Sequence, residues 1–189
     1  LKKIIIKLIL FVCKNLRIGF YNFISDHNIQ AIKNQPVLAK GSGVIEMAKS
    51  VKLGVEKSPG FFSSYIYIEA RKVTSQIIVG ENTHINNNCS IISDGCKIKI
   101  GQNCLFGLNT QIIDSDFHDL KPQRRFGGGN VLMSDITIEN NVFVGNNVSI
   151  LKGVTIGENS VIANGSIVSN SIPNNVIAAG VPAKVLRSI

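Results

Sequence analysis

At 189 residues the chain is long enough to bury a core of its own within one domain. Hydrophobic residues make up 44% of it, aromatics only 6%, and Trp is absent; this mix, rich in Ile, Val, Asn and Gly, suits short stacked strands with tight turns and speaks against a helical bundle. The formal charge of +8 invites a polyanionic partner, but no interleaving of Arg with aromatics accompanies it, so nucleic acid is set aside.

Leu1 to Phe20 is apolar and basic. Ile4, Ile5, Leu8, Ile9, Phe11, Val12 and Leu16 recur at helical spacings, and Lys3, Lys7, Lys14 and Arg17 gather on one narrow stripe. Lys7 keeps the apolar run short of the ~18 residues that span a bilayer, and neither a small-residue cleavage site nor a lipobox follows. Residues 1–30 are therefore predicted to hold a short N-terminal helix that packs its apolar face on the body of the protein. The competing reading lays residues 1–20 on an anionic membrane surface. The chain starts with Leu rather than Met, which points to a true beginning that is missing or unusual.

Residues 31–189 read as one β domain. From Val37 to Ile78 the pattern is degraded: Ile66, Ile68 and Val73 look like strand positions, no phase holds through 57–64, and one or two irregular early coils are expected. From Val79 the sequence counts in sixes. An aliphatic or Phe recurs at Val79, Ile85 and Ile91, at Ile100, Phe106 and Ile112, and at Ile138, Val144, Ile150, Ile156, Ile162 and Val168. Four residues after each comes a mostly small or β-branched side chain, at Thr83, Cys89, Gly95, Cys104, Thr110, Asp116, Val142, Val148, Val154, Ser160, Ser166 and Ile172. Two positions apart in a strand, the two side chains point the same way. Gly follows the aliphatic at 80, 101, 107, 145 and 157, and Asn lies three after it at 82, 88, 103, 109, 141, 147 and 159; both residues tolerate the left-handed backbone of a tight corner. The fold class is all-β, a left-handed parallel β-helix of hexapeptide repeats. Its coils stack ~4.8 Å apart, and the N-terminal helix and the tail 173–189 are candidates to cap its open ends. The four cysteines form no C-x-x-C pair, and Cys89 and Cys104 fall in small inward slots. They read as reduced thiols of a cytoplasmic protein, not as a disulfide frame or a metal site.

The step from Ile112 to Ile138 is 26 residues, one hexad plus 20, so a loop, 119–137, leaves the prism there. His118 falls where another aliphatic was due, and Asp116 takes a slot that is elsewhere small or apolar. Ionisable residues in core slots are costly unless turned outward or used, so on spacing alone a catalytic site and a plain polar exit stand level. The loop carries Lys121, Arg124 and Arg125 ahead of Gly127 to Gly129, which suggests a mobile cover over a site. His84 and His27 read as surface residues.

The hexads, together with "IIDSDFH" and the ending "SIPNNVIAAGVPAKVLR", resemble the hexapeptide-repeat acetyltransferases, above all the maltose/galactoside and the O-antigen or capsule polysaccharide O-acetyltransferases, over residues 66–189. The resemblance implies a homotrimer that binds acetyl-CoA as cosubstrate between subunits, needs no metal, and transfers acetyl to a hydroxyl of a sugar or glycan acceptor. It makes His118 the general base; Asp116 or Asp114 is expected to orient the ring, since an acceptor on one ring nitrogen fixes the tautomer. Asn86 and Asp114 would contact the acceptor. Asn146, Asn164, Ser169, Asn170, Lys184 and Arg187 would contact the coenzyme, a backbone N–H near Asn146 serving the oxyanion and the two basic residues holding phosphates. Asn170 departs from a Lys common in relatives. The acceptor-binding helix of the maltose enzymes is replaced by the basic apolar segment, which favours a lipid-linked or surface polysaccharide acceptor at the inner face of the plasma membrane. Three rivals stand beside this reading: N-acetylation of an amino-sugar nucleotide, a non-catalytic β-helix binding module, and a zinc carbonic anhydrase. The last needs three converging imidazoles, and only His84 and His118 lie in the repeat.

Overall fold

The computed structural model describes residues 1–127 and 129–189. After helix α1 (Lys2–Ile24), the chain winds as a three-sided prism. β1 (Ile32–Lys33) leads into a coil of β2 (Val37–Lys40), β3 (Val44–Met47) and β4 (Lys52–Leu53). Further coils follow as β5 (Ile66–Ala70), β6 (Gln76–Val79) and β7 (His84–Ile85), then β8 (Ser90–Ser93), β9 (Lys97–Ile100) and β10 (Leu105–Phe106). Next come β11 (Gln111–Ile113), β12 (Ile136–Ile138) and β13 (Phe143–Val144), then β14 (Ser149–Ile150), β15 (Thr155–Ile156) and β16 (Val161–Ile162). β17 (Ile167–Val168) and β18 (Val176–Gly180) close the stack, and β19 (Ala183–Ser188) folds back antiparallel on β18. The first face runs β1-β4-β7-β10-β13-β16-β18-β19, the second β2-β5-β8-β11-β14-β17 and the third β3-β6-β9-β12-β15. Parallel pairing throughout the coils gives the architecture of a left-handed β-helix.

The six-residue count produces this because each aliphatic lands in register on the one a coil earlier. Ile68, Ile91, Ile112, Ile150 and Val168 form the inward ladder of the second face. Leu53, Ile85, Phe106, Val144, Ile162 and Ala178 do so on the first. Every aliphatic or Phe slot of the repeat is buried, at ~1.5–3 kcal/mol of transfer free energy per large side chain. Asn82, Asn88, Asn103, Asn109, Asn141, Asn147 and Asn159 all adopt φ between 55° and 61°. Their amides also bond to one another along the edges, as from Asn88 to Asn109 and from Asn109 to Asn147, both at 2.9 Å.

Four expectations change. The glycines after the aliphatics do not take the left-handed conformation. They are required by close approach: a Cβ on Gly107 would lie 2.5 Å from the Gly145 carbonyl carbon. Gly95 and Asp116 do not fill inward slots, because the corners from the second to the third face are widened and Ile98 and Ile136 point inward instead. Val73 lies in a turn of such a corner and is exposed. The early coils are regular in pairing. The phase is lost at 57–64 because that stretch leaves the prism as a turn, anchored by buried Asn87, whose Nδ2 donates to the carbonyls of Val55, Ser58 and Pro59 at 2.9–3.1 Å.

The cysteines give a first test of the packing. Cys89 and Cys104 are buried in the prism and Cys13 is exposed on α1; burial pushes the Cys89 thiol up to about 12. Iodoacetamide at mildly alkaline pH should alkylate Cys13 quickly and leave Cys89 and Cys104 unmodified until the chain unfolds, since the thiolate is the reacting form. Peptide mapping that finds Cys89 labelled as fast as Cys13 would contradict this core.

Candidate active site

The repeat breaks after β11, at the corner between the second and third faces. Ser115 pairs antiparallel with Met133. The Asp116 N–H donates to the Leu132 carbonyl at 3.0 Å and the Ser134 N–H to the Asp114 carbonyl at 2.9 Å, so the two stems of the loop clamp each other. Buried Asp119 braces the loop from inside: it accepts from the backbone N–H groups of Lys121 and Asn130 at 2.8 and 3.1 Å and pairs with Arg124 at 3.0 Å. Gly129 passes so close that a Cβ there would come within 2.3 Å of the Asp119 side chain. Gly128, the middle of the predicted glycine cover, lies outside the described residues.

Phe117 turns the chain sharply, with φ +58° and the His118 N–H reaching back to the Asp116 carbonyl at 2.7 Å. A bulky residue in that conformation stores ~1–3 kcal/mol of strain. Two contacts hold it. The Phe117 N–H donates to Ser115 Oγ at 2.9 Å, and the Arg71 guanidinium lies 4.9 Å from the ring centroid. Arg71 is itself held by Glu69 at 2.9 Å and by Asp94 at 3.5 Å. The turn presents His118 outward, exposed, in a cleft of about 330 Å³ shared with Phe117, Arg124, Arg125, Phe126 and Val131.

His118 Nδ1 lies 3.0 Å from the Arg125 carbonyl oxygen. A carbonyl can only accept, so Nδ1 carries a proton, and in the neutral ring Nε2 is then the nitrogen with the free lone pair. The carboxylates expected to orient the ring are engaged elsewhere. Asp116 pairs through Oδ1 with Lys152, while its Oδ2 is buried with no hydrogen-bond partner among the described residues. Asp114 is fully buried, its two oxygens accepting from the backbone N–H groups of Asp94 at 2.7 Å and Cys96 at 3.0 Å. In this position it brackets the widened corner. The amide suggested for the oxyanion is also occupied: the Asn146 N–H donates to Asn164 Oδ1 at 2.7 Å, and its neighbours at Gly145 and Asn147 donate to the Ile162 and Leu108 carbonyls. Arg71 and the Arg125 carbonyl escaped the sequence reading, the first because it stands in the stretch where the repeat is degraded, the second because a main-chain acceptor leaves no mark in residue type.

The remaining residues divide between two edges of the prism. Asn86, Asn146 and Asn164 follow strands of the first face and stand at its corner with the second; His118, Ser169 and Asn170 follow strands of the second face and stand at its corner with the third. Asn86 Oδ1 accepts from the Asn87 N–H at 2.7 Å. Lys184 and Arg187 are exposed on β19. Among the described residues no group of three His, Cys, Asp or Glu side chains converges as a metal site, and His84 and His118 stand at different places on the prism.

With this geometry the chain belongs to the hexapeptide-repeat acetyltransferase family. The profile of the bacterial transferase hexapeptide (six repeats) matches residues 135–170, and that of the hexapeptide repeat of succinyl-transferase matches 97–112. A galactoside acetyltransferase solved in complex with coenzyme A is 30% identical, with 93% of this chain and 80% of that one covered and a TM-score of 0.55. A hexapeptide-repeat-containing acetyltransferase of Vibrio cholerae, solved with acetyl coenzyme A, is 27% identical over 90% of this chain and 74% of that one, with a TM-score of 0.55. The galactoside O-acetyltransferase of Escherichia coli is 42% identical over 118 residues, 61% of this chain and 55% of that protein. The chain thus spans little more than half the length of the curated relatives it matches first, 57% and 55%.

Proposed function

We propose that the chain is an acetyl-CoA-dependent O-acetyltransferase acting on a sugar hydroxyl, in a lipid-linked or surface glycan. The observation that carries this is the exposed His118 ring with Nδ1 tied to a carbonyl and no partner on Nε2 among the described residues. A thioester carbonyl is already electrophilic, so the reaction needs an oriented hydroxyl and a base near its working pH. The hydroxyl oxygen attacks the thioester carbon as Nε2 takes its proton. The tetrahedral adduct then collapses, the C–S bond breaks, and the imidazolium returns the proton to the departing thiolate.

The split of the site residues between two prism edges supports a site completed by a neighbouring copy, the homotrimer that the family resemblance implies. One edge of a first copy would offer His118, and the Asn86, Asn146 and Asn164 edge of the next would face it. Lys184 and Arg187, both exposed, are free to meet coenzyme phosphates as fixed positive charges. Asn86 remains available to an acceptor through its Nδ2. The test incubates the chain with acetyl-CoA and a panel of neutral, acidic and amino-sugar oligosaccharides, and follows acceptor-dependent release of coenzyme A by mass spectrometry. An acetylated product whose acetyl is removed by hydroxylamine is the expected result, because that reagent cleaves an ester and spares an amide. A hydroxylamine-stable product, or no transfer to any acceptor, would overturn the assignment.

A further inference from the structure

Helix α1 faces the body with the wrong side for burial. Its partly covered residues are Lys14, Arg17, Ile18 and Tyr21, one stripe at helical spacing. Arg17 donates to the Ser64 carbonyl at 2.8 Å, Tyr21 packs on Tyr65 at 5.0 Å between centroids, and Lys7 and Lys14 line a groove against Glu56 and Phe61. The opposite stripe is Ile5, Ile9, Val12, Leu16, Phe20 and Phe23, and all of it is exposed, Leu16 at 69% and Phe23 at 88%. No residue of the helix is buried. The packing expected from the sequence therefore fails, because the 54–65 turn and the first coil offer carbonyls, aromatic rings and Glu56 to the basic side of the helix and leave the apolar side uncovered.

We propose that this outward stripe is a docking surface for an anionic lipid bilayer, on which α1 lies in the plane of the interface. Charge selects that occupant. Lys2, Lys3, Lys7, Lys14 and Arg17 precede the first acidic residue, Asp26, so the element is an uninterrupted cationic segment with an apolar face, the pattern that binds at headgroup level. A second copy of the same face would bring two such cationic segments together without a counter-charge. Insertion across the bilayer does not fit either, since no helix among the described residues is long and apolar enough. Lipid accepts the apolar stripe, and anionic headgroups within a Debye length attract the lysines on the far side. The proposal is independent of the acetyl-transfer reading.

The test is co-sedimentation of the full chain with phosphatidylcholine vesicles, with and without phosphatidylglycerol, at low and high salt. The expected result is recovery with the anionic vesicles at low salt, weakened by salt and absent with phosphatidylcholine alone. The double variant Ile9→Glu, Leu16→Glu, both sites being exposed, should lose at least ~10-fold in vesicle binding with unchanged circular dichroism. Lys2→Glu with Lys3→Glu should lower binding to anionic vesicles while leaving the apolar stripe intact. Equal binding by wild type and both variants, equal binding to neutral vesicles, or no binding at all overturns the proposal. So does a drop in assembly mass by light scattering when Ile9 and Leu16 are replaced, which would assign the face to a second copy.

Discussion

His118→Ala should fold, melt as the wild type does and lose at least ~10²-fold in kcat, the usual scale for a lost acid–base group. The ring is exposed, and among the described residues its hydrogen bond is the 3.0 Å contact from Nδ1 to the Arg125 carbonyl, so its removal opens no cavity in the prism. Asp116→Asn separates two origins for the orientation of the ring. With a main-chain carbonyl holding Nδ1 and Asp116 committed to Lys152, that variant should cost less than ~10-fold. Loss of a carboxylate that truly fixes a catalytic imidazole costs ~10⁴-fold, and a fall of that size would return the orienting role to Asp116. An unchanged rate in His118→Ala would remove the base altogether. The measurement is steady-state transfer from acetyl-CoA to the sugar acceptor, with kcat and KM read separately.

What the sequence displayed, and what it concealed, follows from how each feature is encoded. The prism was readable because every coil repeats the same requirement: an aliphatic at Ile91 must stack on one at Ile112 and another at Ile150, and Asn109 must adopt φ +59° to turn the corner. Repetition makes such constraints visible in one chain. The break at His118 was readable for the same reason, as a missed beat. The environment of the ring was not, because it depends on the loop folding back so that the carbonyl of Arg125, seven residues on, meets Nδ1. The side of α1 that meets the body was equally hidden. An amphipathic stripe states that an apolar face exists, not which side its neighbour will accept; Glu56, the Ser64 carbonyl and Tyr65 decided that.

Asp114→Ala should be the most destabilising single change near the site, and it tests whether that residue binds an acceptor or holds the fold. Its two carboxylate oxygens are the hydrogen-bond partners of the Asp94 and Cys96 amides in a corner with no access to water at Asp114. Truncation leaves the buried Asp94 donor and the half-buried Cys96 donor without these partners, at ~1–3 kcal/mol for a buried group and less for a half-buried one, and loosens the stem on which His118 is presented, because the Ser134 N–H closes onto the Asp114 carbonyl at 2.9 Å. For a chain of this size each kcal/mol corresponds to ~2–4 °C, so thermal unfolding should fall by ~5–20 °C. Asp114→Asn keeps one accepting oxygen and turns an amide N–H₂ towards the other donor, so it should recover part of the loss and no more. Below the melting range both variants should bind acetyl-CoA and acceptor with KM close to wild type, while kcat falls as the stem loosens. An acceptor-contacting carboxylate gives the reverse, a raised acceptor KM at an unchanged melting temperature. The geometry favours the first outcome because a side chain fully enclosed by its own corner presents no accessible oxygen to a sugar.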